Sequence, residues 1–507
     1  MRLASDLVVV GSGSAGAVIA ARVSERADRE VCLLEAGPDY PDASALPPDL
    51  VDGTRNSWRQ HDWGYKAVPT PGQTIPFVFP RGKVVGGSSA VNTCIAMRPQ
   101  PYDLDEWDLP EWRFDVCLPY LNRLEDDRDF DGPFHGKGGP IPIRRHGPDE
   151  LVPWQAAFVE ACRALGHPAC EDINDPRTQG GVGPHAMNKI EGVRFSAARG
   201  YLTPAVRSRA NLRIRAGTLV RRVIVVNRRV EAVEVEIAAG VEQIAARKVV
   251  LCAGAVATPG ILLRSGIGPP LEIARLGVEL CSDVPAVGAR LLDHPGAAFI
   301  LAARIGVSSL THPLIQTVVR YTSRGSSCPN DMQVQPGSFL PLHPRVVLPT
   351  VTMMCSVGKP RGHGRIVFPS ADARSSPRIF SEMLVHPDDH TRAVNALQLA
   401  YDCVRSSSMR TLAFFFWPGE RVLRDRAALG EWIYRSCGSG YHPCGTVPMG
   451  RDGDVRAAVD ARGRVRGVEG LVVADASIMP TVPSANTNLT TLLIGERFGE
   501  WLRDEAI

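Results

Sequence analysis

The sequence predicts an α/β protein that begins with a doubly wound, Rossmann-like domain. A continuous apolar run at residues 7–10 is typical of a parallel strand covered on both faces. A Gly-x-Gly-x-x-Gly turn at residues 11–16 follows, and residues 17–22 have helix-forming composition. A second apolar run at residues 31–34 ends in the acidic Glu35. Strand, glycine turn, helix, strand and terminal acid in this order predict a dinucleotide-binding unit.

The glycines of this turn have separate physical roles. Gly11 permits the tight turn, Gly13 lets the backbone approach a pyrophosphate, and Gly16 allows the helix to pack closely on the strand. The helix N-terminus attracts phosphates, and Glu35 can accept hydrogen bonds from ribose hydroxyls. This pattern does not distinguish NAD from FAD. Its predicted cofactor-binding residues are Gly11, Gly13, Ser14, Ala15, Gly16, Glu35 and Ala36.

Length and composition indicate an ordinary globular protein of about two domains. The 507 residues exceed what one compact core holds. Hydrophobic residues make up 44%, charged residues make up 22%, and the formal net charge is +3. This balance gives no reason to expect nucleic acid or an anionic membrane surface as a partner. No apolar stretch reaches the roughly 20 residues that span a bilayer, and the N-terminal glycine spacing is unlike a signal peptide, so a cytoplasmic location is expected.

The twelve cysteines are scattered along the chain, and no Cys-x-x-Cys pair occurs. We therefore expect small buried thiols rather than a disulfide framework. Cys437, His442 and Cys444 are close in sequence, but no fourth ligand accompanies them at a plausible spacing. No metal site is predicted.

Two further loops favour a close approach between backbone and ligand. A double-glycine loop at residues 81–92 includes Ser88 and Ser89, which supply N–H groups and hydroxyls beside a bound diphosphate. An apolar strand at residues 249–252 leads into Gly254 and a helix that we expect to begin at its proline. Either loop alone could be an ordinary turn. Their occurrence together with the N-terminal unit favours a nucleotide site.

Several long motifs in the chain resemble one family. The segments at residues 81–92, 254–268, 442–450, 473–477 and 483–488 closely resemble the glucose-methanol-choline (GMC) family of flavoprotein oxidoreductases. The resemblance runs from Asp6 to about Trp501 and so covers nearly the whole chain. Shorter segments resemble bacterial members of the hydroxymethylfurfural oxidase and choline dehydrogenase type, at residues 139–143, 194–201 and 475–480.

The resemblance implies two domains that are interleaved along the chain. The doubly wound FAD-binding domain would comprise residues 1–145, 190–300 and 440–507. The substrate-binding domain, an antiparallel sheet with flanking helices over the flavin face, would comprise residues 146–189 and 301–439.

The resemblance also implies how FAD is held. FAD would lie extended, with its adenosine near Glu35 and Val220. Its isoalloxazine ring would lie near residues 92–95 and Ala476. Some members link FAD covalently through a histidine immediately before the asparagine of the double-glycine loop. Val91 stands before Asn92 here, so we expect noncovalent FAD. The further cofactor-binding residues implied are Trp63, Gly82, Ser88, Asn92, Thr93, Cys94, Ile95, Val220, Tyr441, Asp475, Ala476 and Thr487.

The resemblance places the catalytic pair at His442 and Asn486, although other members carry a histidine at the second position. Breaking an alcohol α-C–H bond as hydride becomes easier as the hydroxyl proton leaves. A histidine titrates near neutrality and can take that proton, while the hydride goes to flavin N5. The amide N–H of Asn486 can hold the substrate oxygen in line.

Two alternatives stay open, one for Asn486 and one for an aromatic segment. Asn486 could cap the helix expected at residues 489–501, a role that does not exclude catalysis. His294 and the remaining histidines are expected to be structural. The aromatic run at residues 412–417 is expected to pack in the core, with a place in the substrate pocket as the alternative.

The predicted function is FAD-dependent oxidation of an alcohol to the aldehyde or ketone, with electrons passed to oxygen or to a separate acceptor. A primary alcohol, aromatic or furanic, is preferred on the resemblance to bacterial members, while sugars, amino sugars and choline-like substrates stay open. The alternative from another class is a lyase, because plant mandelonitrile lyases share the fold and FAD without net redox chemistry. A flavin-binding scaffold without catalysis is disfavoured, because both candidate reacting residues are present.

Overall fold

The computed structural model describes residues 4–57, 60–340 and 349–505. The strands in these ranges are β1 (Ala4–Val10), β2 (Val31–Leu34), β3 (Lys66–Val68), β4 (Phe77–Val78), β5 (Glu125–Asp127), β6 (Ile141–Ile143), β7 (Gly181–Pro184), β8 (Lys189–Ile190), β9 (Val193–Arg194), β10 (Leu212–Arg215), β11 (Leu219–Val226), β12 (Arg229–Ile237), β13 (Gly240–Leu251), β14 (Ile267–Gly268), β15 (Ser282–Asp283), β16 (Pro295–Ala303), β17 (Thr317–Tyr321), β18 (Met332–Gly337), β19 (Thr350–Val357), β20 (Arg365–Val367), β21 (Arg378–Phe380), β22 (Ala413–Trp417), β23 (Gly438–Ser439) and β24 (Leu471–Val473). The helices are α1 (Ser14–Val23), α2 (Pro48–Val51), α3 (Pro101–Asp105), α4 (Phe114–Leu124), α5 (Pro153–Ala164), α6 (Ala197–Tyr201), α7 (Pro204–Arg207), α8 (Gly254–Arg264), α9 (Pro270–Arg275), α10 (Pro387–Arg405), α11 (Glu420–Arg424), α12 (Arg426–Ser436) and α13 (Thr487–Arg503).

The first large sheet has the strand order β10-β2-β1-β13-β12-β11, and β24 pairs with β13. Strand β1 runs parallel to both β2 and β13, while β11 and β12 extend the sheet as an antiparallel hairpin. The central side chains Val8, Val9 and Leu33 are fully buried, because helices cover both faces of a doubly wound sheet. The predicted α/β fold with a doubly wound sheet is confirmed.

The second large sheet has the order β22-β16-β19-β18-β17-β7, with β23 paired to β16, and its strands are antiparallel. One face packs on α5 and α10 in a core that includes Phe158, Phe299, Met353 and Leu397. The opposite face contributes to a large cavity. The existence of this antiparallel sheet agrees with the predicted fold class, while the domain boundaries given above stay a prediction.

Helix α13 packs along α1 and begins directly after Asn486. A Cβ added at Gly495 would lie 2.8 Å from the Cβ of Val18, so glycine is what permits this close approach. The guanidinium of Arg22 pairs with the buried Glu496 carboxylate at 2.8 Å. Because α1 starts at the N-terminal glycine turn, this packing fixes the position of Asn486 relative to that turn.

The helix after β13 differs from the prediction at its start. It begins at Gly254, and Pro259 lies inside it rather than at its first position. A proline inside a helix leaves the carbonyl four residues earlier without its usual N–H donor. The hydroxyl of Thr446 donates to that carbonyl, on Ala255, at 2.7 Å, so the helix continues through the proline.

The cysteines agree with the expectation of small buried thiols. All twelve cysteines are free, and ten of them are buried. Among the described residues, no helix combines the length and apolar character needed to cross a membrane.

Candidate active site

A cavity of about 660 Å³ lies between the glycine turn of the first sheet and the open face of the second sheet. This volume falls in the range of cofactor and ligand sites. The cavity has a cofactor side, formed by the loops that follow β1, β2 and β13, and a substrate side, formed by β16, β18 and β19. The residues that carry chemistry stand where these two sides meet.

The cofactor side is built largely from backbone. Gly11 has φ +96°, and a Cβ there would lie 2.5 Å from the carbonyl oxygen of Cys252. In the double-glycine loop, Gly87 has φ +53°, and its Cβ would lie 2.7 Å from the Cα of Gly13. Backbone segments therefore touch here, and at Gly11 and Gly87 no side chain larger than hydrogen fits.

The Glu35 carboxylate stands at the end of β2 and lines the cavity. It accepts hydrogen bonds from the N–H and hydroxyl of Ser12, at 3.1 and 2.7 Å, and from the N–H of Gly37 at 2.9 Å. Burial raises the pKa of this carboxyl, while these hydrogen bonds act to lower it. A carboxylate has about four acceptor positions, so it retains capacity for a ligand hydroxyl.

A second carboxylate, Asp475, holds the start of α8 against the cavity. It accepts hydrogen bonds from the Gly254 N–H at 2.8 Å, the Thr258 hydroxyl at 2.6 Å and the Ser477 N–H at 2.7 Å. The carboxylate is buried, and these three donors all belong to the protein. Its position is consistent with a structural role at the wall of the cofactor side.

Most of the predicted cofactor-binding residues lie on the cavity wall, and two do not. Gly16 does not line the cavity. A Cβ there would lie 1.9 Å from the Gly11 carbonyl oxygen, so this glycine permits the close packing of α1 on the turn after β1. Cys94 is fully buried with φ +62°, and its sulfur lies 3.7 Å from the Arg194 guanidinium, away from the cavity. The wall contains Gly11, Gly13, Ser14, Ala15, Glu35, Ala36, Trp63, Gly82, Ser88, Asn92, Thr93, Ile95, Val220, Tyr441, Asp475, Ala476 and Thr487.

The predicted catalytic pair is brought together at the cavity wall. The Nδ2 atom of Asn486 lies 2.9 Å from Nε2 of His442, and both residues line the cavity. Asn486 occupies the N-cap position of α13, yet its side chain makes no capping hydrogen bond. The side chain is directed to His442 instead, so the capping alternative is not what orients it.

A third residue, His294, extends the contact between Asn486 and His442 into a chain of hydrogen bonds. Its Nδ1 lies 2.9 Å from Nδ1 of His442, and its Nε2 lies 2.8 Å from the carbonyl oxygen of Pro483. The two imidazole rings meet at an interplanar angle of 73°. The sequence predicts a structural role for His294, and the structure places it in direct contact with His442.

Asp293 fixes the backbone that carries both histidines. Its carboxylate accepts hydrogen bonds from the His294 N–H at 2.7 Å, the His442 N–H at 2.9 Å and the Ser439 hydroxyl. The Ser439 oxygen in turn accepts from the Tyr441 N–H at 2.6 Å. Tyr441 has φ +65°, so this network holds the strained residue that precedes His442.

Burial controls the charge of the three ionisable groups. It lowers the pKa of His442 well below its ordinary value, and the nearby His294 and Arg81 lower it further. Burial also lowers the pKa of His294 to about 4. Burial raises the pKa of the Asp293 carboxyl to about 6, against the effect of its hydrogen bonds. Both imidazoles are therefore neutral near pH 7, as a base that accepts a proton requires.

The substrate side is one face of the second sheet, arranged in rows across three strands. The register aligns Gly296, Ser356 and Gln333 in the row beside the histidines. Successive rows on one face are about 7 Å apart. The second row consists of Ala298, Met354 and Gln335, and the third contains Ile300 and Thr352 with Trp417 opposite Ile300; all of these residues line the cavity.

Two amides on this face are held by the protein. Gln333 donates to the carbonyl oxygen of Ser484 at 2.7 Å, and the Gln335 side-chain oxygen lies 2.9 Å from Nε2 of His185. These contacts fix two polar groups beside the apolar side chains of Met354 and Ile300.

The aromatic run at residues 412–417 is core only in part: Ala413 is buried and Phe415 packs against the core, so the preferred prediction holds for these residues and not for the whole run. It forms the edge strand β22, where Phe414 and Phe416 are 55% and 63% exposed. Alternate side chains of an edge strand point outward, so only part of the run packs inward. Trp417 lines the cavity at its outer end, in agreement with the pocket alternative.

Comparison with known proteins identifies the class of enzyme. The N-terminal domain of GMC oxidoreductases matches residues 5–296, and the C-terminal domain matches residues 360–495. The chain belongs to the GMC oxidoreductase family. It is an FAD-dependent oxidoreductase of the alcohol oxidase and dehydrogenase type.

Particular relatives cover nearly the whole chain. It is 35% identical to 5-(hydroxymethyl)furfural oxidase of Methylovorus sp. (strain MP688), with 99% of each chain covered. It is 30% identical to oxygen-dependent choline dehydrogenase of Photobacterium profundum, over 98% of this chain and 92% of the relative. The crystal structure of pyridoxine 4-oxidase from Mesorbium loti superposes with a TM-score of 0.90 at 31% identity, with 98% of each chain covered.

Proposed function

We propose that this enzyme oxidises an alcohol to the aldehyde or ketone, with His442 as the base and Asn486 as the group that orients the substrate oxygen. The observation that carries this proposal is the 2.9 Å contact between Nε2 of His442 and Nδ2 of Asn486 at the cavity wall. A substrate hydroxyl can replace this contact by directing its proton to His442 and accepting from Asn486.

His442 is suited to take the hydroxyl proton because it is neutral and held in place. Its backbone N–H is bound by Asp293 and its ring by His294. As the proton moves to His442, alkoxide character on the oxygen weakens the adjacent C–H bond. General base catalysis of this kind contributes roughly 10²–10⁴-fold.

The residues of the cofactor side fit FAD. The cradle has no room for a Cβ at Gly11 or Gly87, and the start of α1 favours phosphate. Glu35 is placed to accept from a ribose hydroxyl. FAD, when bound, supplies the acceptor for the hydride at flavin N5. Because Val91 occupies the position of the linking histidine, we propose that FAD is held noncovalently.

The substrate side supports an uncharged alcohol with a flat ring. The carboxylates on the described cavity wall are Glu35 and Asp475, and both belong to the cofactor side. The described part of the wall therefore offers no anion beside the reacting centre for a quaternary ammonium group. The small Gly296 and Ala298 leave room for a ring, while Met354 supplies apolar contact. We propose a primary aromatic or furanic alcohol.

The electron acceptor is oxygen or a separate acceptor. The relatives named above include enzymes called oxidase and oxygen-dependent dehydrogenase, which supports oxygen. Reoxidation of the reduced enzyme by air distinguishes the two.

An anaerobic titration tests the proposed function. The purified enzyme is first denatured to show that FAD is released, and the native enzyme is then mixed without oxygen with benzyl and furfuryl alcohols, aliphatic alcohols, choline, sugars and amino sugars. Loss of the flavin colour with aromatic or furanic alcohols is expected, and admitted air shows whether oxygen restores it. No bleaching by any alcohol, with FAD fully bound, would contradict the proposal and favour a lyase.

A further inference from the structure

We propose that His294 is a positioning residue that keeps the proton of neutral His442 on Nδ1 and leaves Nε2 free to accept the substrate proton. This inference rests on the proposed role of His442 as the base. It assigns a function, based on two hydrogen bonds, to a histidine for which the sequence predicts a structural role.

The carbonyl of Pro483 determines which ring nitrogens donate and which accept in the chain of hydrogen bonds through His294 and His442. The Nε2 atom of His294 lies 2.8 Å from that oxygen, and a carbonyl oxygen can only accept. The hydrogen of His294 must therefore be on Nε2. His294 is 3% exposed, and a buried imidazole without a carboxylate against its ring nitrogens stays neutral, so its Nδ1 carries a lone pair.

The lone pair of His294 then determines the tautomer of His442. The two Nδ1 atoms are 2.9 Å apart, which requires one donor and one acceptor. Because Nδ1 of His294 is the acceptor, Nδ1 of His442 must carry the hydrogen. Its Nε2 is left as an acceptor, and the facing amide of Asn486 donates to it. Every contact is satisfied in this one direction.

The same hydrogen bond between the two imidazoles stabilises protonated His442, the product of proton transfer. When His442 takes a proton at Nε2, its Nδ1–H bond to His294 becomes charge-assisted and stronger. The proton remains on His442, because His294 is already committed to Pro483 through its own N–H. The Asp293 carboxylate, which binds both backbone N–H groups, keeps the two rings at this distance.

Two variants of His294 test whether the acceptor for the Nδ1–H of His442 is what matters. Asparagine and leucine have nearly the same shape, and both abolish the ring contact with Pro483, but only asparagine can accept from Nδ1 of His442. With FAD content and melting temperature matched, we expect His294→Leu to slow anaerobic flavin reduction roughly 10–100-fold. His294→Asn is expected to recover most of that rate. Equal losses in the two variants would overturn the proposal.

The tautomer can also be observed directly in the wild-type holoenzyme. ¹⁵N-histidine labelling, with the His442 signals assigned from a His442→Gln variant, distinguishes protonated from unprotonated ring nitrogens. We expect an unprotonated Nε2 and a protonated Nδ1 at His442 near pH 7. A protonated Nε2 would overturn the proposal. This measurement does not depend on turnover, so it separates a failure of this inference from a failure of the proposed function.

Discussion

The two sides of the cavity are built by different means. The cofactor side relies on backbone, at short loops where Gly11 and Gly87 allow contacts that no side chain permits. The substrate side relies on side chains that the register of β16, β18 and β19 brings onto one face. A backbone site of this kind admits almost no substitution, whereas a side-chain face can change its residues and keep its sheet.

The proposed catalytic pair lies where the two sides of the cavity meet. His442 follows β23, which belongs to the second sheet, while Asn486 directly precedes α13, which packs on α1. The two residues are therefore positioned by different parts of the fold. Hydrogen bonds from His442 to Asp293 and His294 hold His442 in place beside Asn486. Variants on either side should separate cofactor binding, chemistry and substrate choice.

The largest effect is expected at the junction of the two sides. His442→Ala should slow anaerobic flavin reduction roughly 10²–10⁴-fold by removing the base, while FAD content stays unchanged because the cofactor cradle is untouched. Stopped-flow absorbance with benzyl alcohol measures the rate. His390→Ala, in α10 and away from the cavity wall, is the matched control and should keep the wild-type rate. Wild-type reduction by the His442 variant would exclude it as the base.

The second largest effect should break the cofactor side. Gly87→Ala places a Cβ 2.7 Å from the Cα of Gly13 at a φ of +53°, so the two loops must separate. We expect FAD affinity to fall at least roughly tenfold, since 1.4 kcal/mol corresponds to that factor. Gly277→Ala is the control, because its φ is +68° but nothing lies within 4 Å of the added Cβ. Fluorescence of released FAD compares them, and equal losses would indicate backbone strain alone.

This contrast explains why the sequence predicted one side better than the other. The glycine turn, the helix and the acid that follows β2 all lie within residues 11–35, and each needs a particular residue type, so local pattern identifies them. The strand predicted at residues 31–34 has the same bounds in the structure. The internal position of Pro259 was not predicted, because the donor to the freed carbonyl is Thr446, far along the chain.

The substrate side and the positioning residues could not be predicted for the same reason. Asp293 and His294 bind His442, which lies about 150 residues later in the sequence. A contact between such distant residues leaves no pattern in the local sequence. The wall formed by Ala298 and Met354 depends on strand register, which a single sequence without an alignment does not specify. The catalytic pair itself came from the family resemblance, and its roles stay a prediction.

A smaller effect should sharpen the contrast within the second sheet. Met353 and Met354 are neighbours on β19, but Met353 is fully buried in the core while Met354 lines the cavity. Met353→Ala should lower the free energy of unfolding by about 2–5 kcal/mol. Met354→Ala should cost little stability and lower kcat/KM for benzyl alcohol roughly tenfold through lost apolar contact. Denaturant unfolding and steady-state kinetics compare the two, and a reversed pattern would contradict the assigned faces.

The smallest effect is expected from pH. Burial lowers the pKa of His442 well below its ordinary value, with further lowering by His294 and Arg81, while Asp293 and Tyr441 are the other titratable groups beside it. A base acts only when unprotonated, so a lowered pKa extends its active form toward acid. We expect kcat/KM of the wild-type enzyme to stay nearly constant between pH 8 and 6.5, where an ordinary histidine near pKa 6.5 would become half protonated and kcat/KM would fall about twofold. A clear fall across this interval, with FAD fully bound, would show that His442 is more solvated than its burial implies.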